Sequence, residues 1–89
     1  MNITFKGMKF DAAQQADGAY RIETEPGRYF ILVEQAPTGK GWIASIWKHT
    51  NCFGGVEIVR NIATKRNGLV RRATARSMWR AALLDYSRA

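Results

Sequence analysis

The chain has 89 residues, 46% of them apolar and 24% charged, with a formal net charge of +7. That length holds one domain with one modest core, and that composition belongs to a folded chain, because enough apolar surface exists to offset the entropy of ordering. A single cysteine, Cys52, excludes an intrachain disulfide, the first residues lack the charged and apolar regions of a signal peptide, and no apolar run approaches the ~18 residues of a transmembrane helix, so a cytoplasmic protein with no membrane partner is expected.

Ile3-Thr4-Phe5 alternates apolar and polar residues and reads as an edge strand, which Met8 and Phe10 extend past a bulge or turn at Gly7. Residues 11–17 are rich in Ala and Gln. They read either as a helical turn capped by Asp11 or as a loose connection, too short to stand alone, which Gly18 ends. Tyr20 to Thr24 alternates with period two and puts Tyr20, Ile22 and Thr24 on one face. Glu25-Pro26-Gly27-Arg28 has the chemistry of a type II turn, since proline presets φ at its second position and glycine supplies positive φ at its third. Tyr29 to Gln35 is a continuous β-rich run, as a central strand would be. A second turn cluster at 36–41 leads into Trp42 to Lys48, where Trp42, Ala44 and Ile46 share one face and Ile43, Ser45 and Trp47 the other. After a loop at 51–55, Val56 to Ile62 alternates again, with Val56, Ile58 and Ile62 as a partial apolar face. Arg60 interrupts that face, which places this strand at an edge or frays it near its end. Connections this short favour an antiparallel meander over βαβ units.

The last third differs in kind. Asn67 can cap a helix, and Leu69 to Tyr86 contains no Gly or Pro and is rich in Ala, Leu, Arg and Met. On a helical wheel Ala75, Met78, Trp79, Ala82 and Tyr86 form one arc with Leu83 at its margin, while Val70, Ala81 and Leu84 lie off it. Arg72, Arg76 and Arg80 recur at i, i+4 and i+8 and so form a single ridge. The expected fold is a single α+β domain. It has a three- to five-stranded antiparallel sheet over about 1–63 and one C-terminal helix over about 68–87, packed on one sheet face. Trp42 and Trp47 point to opposite faces of their strand, so both cannot lie beneath that helix. One of them belongs to an open face, unless a second copy of the chain covers it as a homodimer.

The positive charge is concentrated. Residues 1–59 carry six basic and six acidic groups, whereas residues 60–89 carry eight basic groups against Asp85 alone. The basic set Lys65, Arg66, Arg71, Arg72, Arg76 and Arg80 suits phosphate recognition through planar guanidinium forks. It predicts contact with nucleic acid, or with an acidic protein or ribonucleoprotein surface. Trp47 is the candidate aromatic partner, to stack a base or to anchor a protein interface. The same arginines also suit a merely solvated helix face. Catalytic chemistry is poorly provided for. His49 is the only histidine, and with Cys52 it supplies too few ligands for a structural zinc site. Gly54-Gly55 and Gly39-Lys40-Gly41 do not open into the Lys-Ser/Thr helix of a phosphate loop. A non-enzymatic protein without catalytic residues, metal or cofactor is expected.

In its layout, with strands at Tyr29–Gln35 and Trp42–Lys48 followed by an Ala/Arg-rich helix over Leu69–Tyr86, the chain resembles small phage- or prophage-encoded accessory proteins. Anti-CRISPR proteins are among these. The resemblance carries over no functional residue. It implies a stoichiometric inhibitor that acts by protein–protein contact with a host complex. Many such inhibitors are acidic mimics of nucleic acid, and this basic chain departs from that pattern.

Overall fold

A computed structural model describes residues 1–37, 39–50, 54–62 and 71–88. The chain begins with a hairpin of β1 (Asn2–Phe5) and β2 (Met8–Asp11), in which Phe5 pairs with Met8 across Lys6-Gly7. Both turn residues have positive φ, 50° and 77°, as a two-residue type I′ turn requires, and Gly7 adopts this without a Cβ penalty. Five strands then form an antiparallel meander in sequence order: β3 (Ala13–Gln14), β4 (Tyr20–Glu25), β5 (Tyr29–Gln35), β6 (Trp42–His49) and β7 (Val56–Asn61). The turn between β4 and β5 closes with the Arg28 amide donating to the Glu25 carbonyl at 2.8 Å, with Gly27 at φ 78°. The stretch 11–17 is not a helical turn. Asp11 ends β2, and Ala13 and Gln14 pair with Arg21 and Tyr20. Neighbouring strands satisfy its backbone groups, with Ala12 donating to Met1 at 2.8 Å and Gln15 to Ala19 at 2.7 Å, which one isolated helical turn could not match.

The helix α1 (Ala75–Arg88) lies across β5 and β6 on one face and touches β1. Its Ala75, Met78, Trp79, Ala82 and Leu83 are buried against Ile22, Ile31, Val33, Ala44, Ile46 and Ile62 of the sheet side. The β1–β2 hairpin closes the core at one flank with Ile3, Phe5 and Phe10. Full burial of each large apolar side chain is worth about 1.5–3 kcal/mol.

The helix begins later than its residue propensities suggest. Residues 71–74 are not helical, and Arg72 forms an antiparallel bridge with Trp42. The Trp42 amide donates to the Arg72 carbonyl at 2.8 Å, and the Arg72 amide to the Trp42 carbonyl at 3.1 Å. Among the described residues, the pairing of β7 with β6 starts at Ser45, and Ile62 adds a contact with Ala44. Arg72 supplies the partners of the Trp42 amide and carbonyl, and this long-range pairing overrides helix propensity. Asn67 lies outside the described residues. The observed cap is Thr74, whose Oγ1 accepts from the Ser77 amide at 3.1 Å.

β7 is an edge strand, but Val56, Ile58 and Ile62 do not share a face. A bulge leaves Val59 without a partner, because Trp47 pairs with Ile58 and Ile46 with Arg60. The extra residue reverses the alternation. Val56 and Ile58 stay on the open face at 43% and 45% exposure, while Arg60 and Ile62 turn towards the helix.

Candidate phosphate-binding groove

An open groove of about 420 Å³ runs along the outward side of α1, lined by Arg72, Thr74, Arg76, Ser77, Arg80, Ala81 and Leu84. Two structural devices bring its arginines together. Arg76 and Arg80 stand one turn apart on the helix, with a rise of about 6 Å between them. Arg72 precedes the helix, and its bridge to Trp42 holds it at the groove's end. The fit there is close: a Cβ on Gly41 would come within 3.1 Å of the Arg72 carbonyl oxygen, and Gly41 sits at φ 82°. The predicted ridge is thus real as a cluster but is not a continuous helical row.

Helix α1 is fastened at its far end as well. Arg60 donates to the Asp85 carboxylate at 2.6 Å and to the Asp85 carbonyl at 3.1 Å. The Tyr86 hydroxyl donates to Glu25. Burial, and then the Glu25 hydrogen bond, push the Tyr86 hydroxyl above its ordinary pKa. Arginines carried on a helix anchored this way need little further ordering to meet a ligand.

Asp85, the helix's one acidic residue, is spent on Arg60, and the first turn of α1 has no acid. The other side-chain ion pairs among the described residues join Arg21 and His49 to Glu23, Arg28 to Glu25, and Lys48 to Glu57. None involves Arg71, Arg72, Arg76 or Arg80, all of which are exposed. Arg76 Nη1 donates to the Asn2 carbonyl at 3.0 Å, which orients that side chain without neutralising it. The groove also offers the hydroxyl groups of Thr74 and Ser77, beside the positive end of the helix dipole.

Of the other predicted site residues, Arg71 adjoins Arg72 but does not line the groove, and Lys65 and Arg66 lie outside the described residues. Trp47 is not near the arginines of α1. It stands on the opposite face of the sheet, because β6 turns Trp42, Ala44 and Ile46 towards the helix and Ile43, Ser45 and Trp47 away from it. There its ring lies parallel to Phe30 at a centroid distance of 6.1 Å, and its Nε1 donates to Ser45 Oγ at 2.7 Å. The Arg21 guanidinium covers the other side of Phe30 at 3.8 Å, and His49 approaches the same ring at 5.3 Å. These neighbours leave Phe30 only 4% exposed although no described element covers that face. Glu23 ties the cluster together through Arg21 and His49. Burial pushes the Glu23 carboxyl up, but the hydrogen bonds from Arg21 and His49 outweigh it and hold the group below its ordinary value of 4.5.

Sequence reasoning found the groove's arginines but missed Thr74, Ser77, Ala81 and Leu84 as its lining. A signal was present, since a threonine just ahead of an Ala- and Arg-rich run marks a helix start. Among the described residues no cluster of three or more His, Cys, Asp or Glu could hold a metal ion, and no helix is long and apolar enough to cross a membrane. No protein-family model matches the chain, and neither a curated protein nor a solved structure was found to resemble it.

Proposed function

We infer that the protein is a non-enzymatic binder of nucleic-acid phosphate backbones, free or within a ribonucleoprotein, and that the groove on α1 is the contact surface. One observation carries this reading. Arg72, Arg76 and Arg80 come from two separately anchored elements, converge on one groove, and have no carboxylate within ion-pair distance among the described residues. A surface that served solubility alone would not need convergence. Each guanidinium offers a planar fork to phosphate oxygens. The helical step of about 6 Å between Arg76 and Arg80 is close to the spacing of successive phosphates on one strand. Thr74 and Ser77 add hydroxyl donors, and Ala81 with Leu84, 38% exposed, gives an apolar strip for sugars. The lining holds no Asn or Gln, the residues that pair with adenine edges, and phosphate contacts by its arginines carry no sequence information, so weak sequence preference is expected.

The test is binding to generic double- and single-stranded DNA and RNA at ~50 and ~200 mM salt, a range over which several phosphate contacts cost orders of magnitude in affinity. Binding at low salt that collapses at high salt, with little dependence on sequence, is expected. No binding at the lower salt refutes the reading.

A further inference from the structure

The sheet face away from α1 is chemically unlike the groove. Register places Leu32 beside Ser45, Phe30 beside Trp47, and Trp47 beside Ile58, with Glu34 opposite Ile43 at one end and His49 opposite Val56 at the other. Trp47, Ile43 and Leu32 are half-buried, and Val56 and Ile58 are exposed by 43% and 45%. Around the buried Phe30 this makes one contiguous apolar patch reaching the edge strand β7. Trp47 is pre-set within it, because the Ser45 hydroxyl fixes its indole and Phe30 backs its ring. A large aromatic held rigid beside exposed aliphatic side chains is the composition of an interface anchor.

Charge decides what fits there. Among the described residues the patch carries Glu23 and Glu34 but one arginine, Arg21, and that guanidinium lies on Phe30 and bonds Glu23 at 2.6 Å. Glu34 is half-buried at the apolar margin and has no hydrogen bond or ion pair among the described residues. A nucleic acid laid on Trp47 would bring phosphates against these carboxylates. Among the described residues, a second copy presenting the same face would offer Glu34 no free partner, since Arg21 and His49 are both engaged with Glu23. The complementary occupant supplies apolar side chains together with one cation.

We propose that this face docks a segment of another protein, in which apolar residues cover Trp47, Ile58 and Ile43 while a lysine or arginine pairs with Glu34. From the β7 edge at Ile58 to Glu34 is roughly 16 Å, taking strand spacing as about 4.8 Å and rise as about 3.3 Å per residue. Three helical turns, or a shorter extended stretch, bridge that span. The surface is separate from the groove, so one molecule can hold a nucleic acid and a protein on opposite sides.

The experiment is selection of a random 12-residue displayed peptide library on the immobilised full chain at ~200 mM salt, where exposed charge attractions are largely screened. Recovered peptides are then measured against Trp47→Ala, Ile58→Ser, Glu34→Gln and the double variant Arg76→Ala/Arg80→Ala. Peptides in which a lysine or arginine is flanked by apolar residues are expected. Their affinity should fall about tenfold or more on Trp47→Ala and Ile58→Ser, as for interface anchors. It should fall by a smaller factor, diminishing with salt, on Glu34→Gln, and stay unchanged on the double arginine variant. Ile58 is exposed, so Ile58→Ser leaves the fold intact and remains decisive if Trp47→Ala does not fold. The proposal is overturned if no enriched peptide depends on Ile58, if the consensus is acidic and maps to the arginines, or if Ile58→Ser abolishes nucleic-acid binding. Sedimentation showing a dimer of the chain that Ile58→Ser dissociates also overturns it, in favour of a second copy.

Discussion

Replacing Arg72, Arg76 and Arg80 together with alanine removes three guanidinium groups that the structure brings to one groove and leaves without acidic partners among the described residues. If each contacts one phosphate of a duplex, each contributes about 0.9 to the slope of log affinity against log salt, so the triple variant loses about 2.7 units. Over the fourfold range from ~50 to ~200 mM salt, that difference is about 40-fold in affinity. A single replacement changes the same ratio by about 3.5-fold, and on a single strand each contact contributes about 0.7 instead. All three side chains are exposed and outside the core, so each replacement is expected to alter stability by no more than about 0.5 kcal/mol. The assay is fluorescence anisotropy of a labelled generic duplex and a labelled single strand at four salt concentrations, with a thermal melt of every variant. The reasoning is refuted if the triple variant keeps the wild-type slope. It is equally refuted if one arginine accounts for the whole loss, since independent phosphate contacts share it.

Thr74→Ala should destabilise the fold by about 1 kcal/mol through loss of the cap on the Ser77 amide, and Thr74→Ser should restore most of it, both read from denaturant melts. Met78→Ala removes a fully buried side chain from the helix–sheet junction and should cost about 2–5 kcal/mol in the same melts. Glu23 is held below its ordinary value of 4.5 in the folded chain. Its contribution to stability is therefore present above that value and lost as pH falls through the lower, folded pKa; between those two pH values the unfolded chain binds the extra proton. Thermal melts from neutral to acid pH should show this loss in the wild type and a shallower fall in Glu23→Gln, with a small amplitude because the group is 38% exposed.

The strands were legible because period-two alternation in residues 20–24 and 42–48, and the Pro-Gly turn between residues 25 and 28, are local signals. The same alternation separated Trp42 from Trp47 and so predicted an open face. Three features were not legible, for one shared reason: each is set by pairing with another strand and not by the local residue pattern. The helix start was misplaced because Arg72 answers to the backbone of Trp42, thirty residues away. The face of Ile62 was misassigned because an alternating pattern does not reveal an inserted residue such as Val59. β3 was missed because two residues are too short a run to signal a strand and become one only when β4 is beside them. For the site, the spacing of arginines was readable, but their separation from Trp47 required knowing which sheet face the helix covers. Ala81 and Leu84 fell off the apolar arc in the sequence, and the groove gives them a place.

The bulge at Val59 has a reach beyond β7. By reversing the alternation it sends Arg60 to the helix side, where it neutralises Asp85 and leaves the outward surface of α1 with cations alone. The polarity of the helix is thus governed from a strand, by a count of residues and not by their type. Were Val59 paired in regular alternation at unchanged length, Arg60 would turn to the opposite face, Asp85 would be released as a negative charge near the end of the helix, and Ile62 would leave the core, whereas deleting Val59 would keep Arg60 opposite Ile46 on the helix side. For a protein of this architecture the one unpaired residue in the edge strand sets the charge pattern of a helix that it does not belong to.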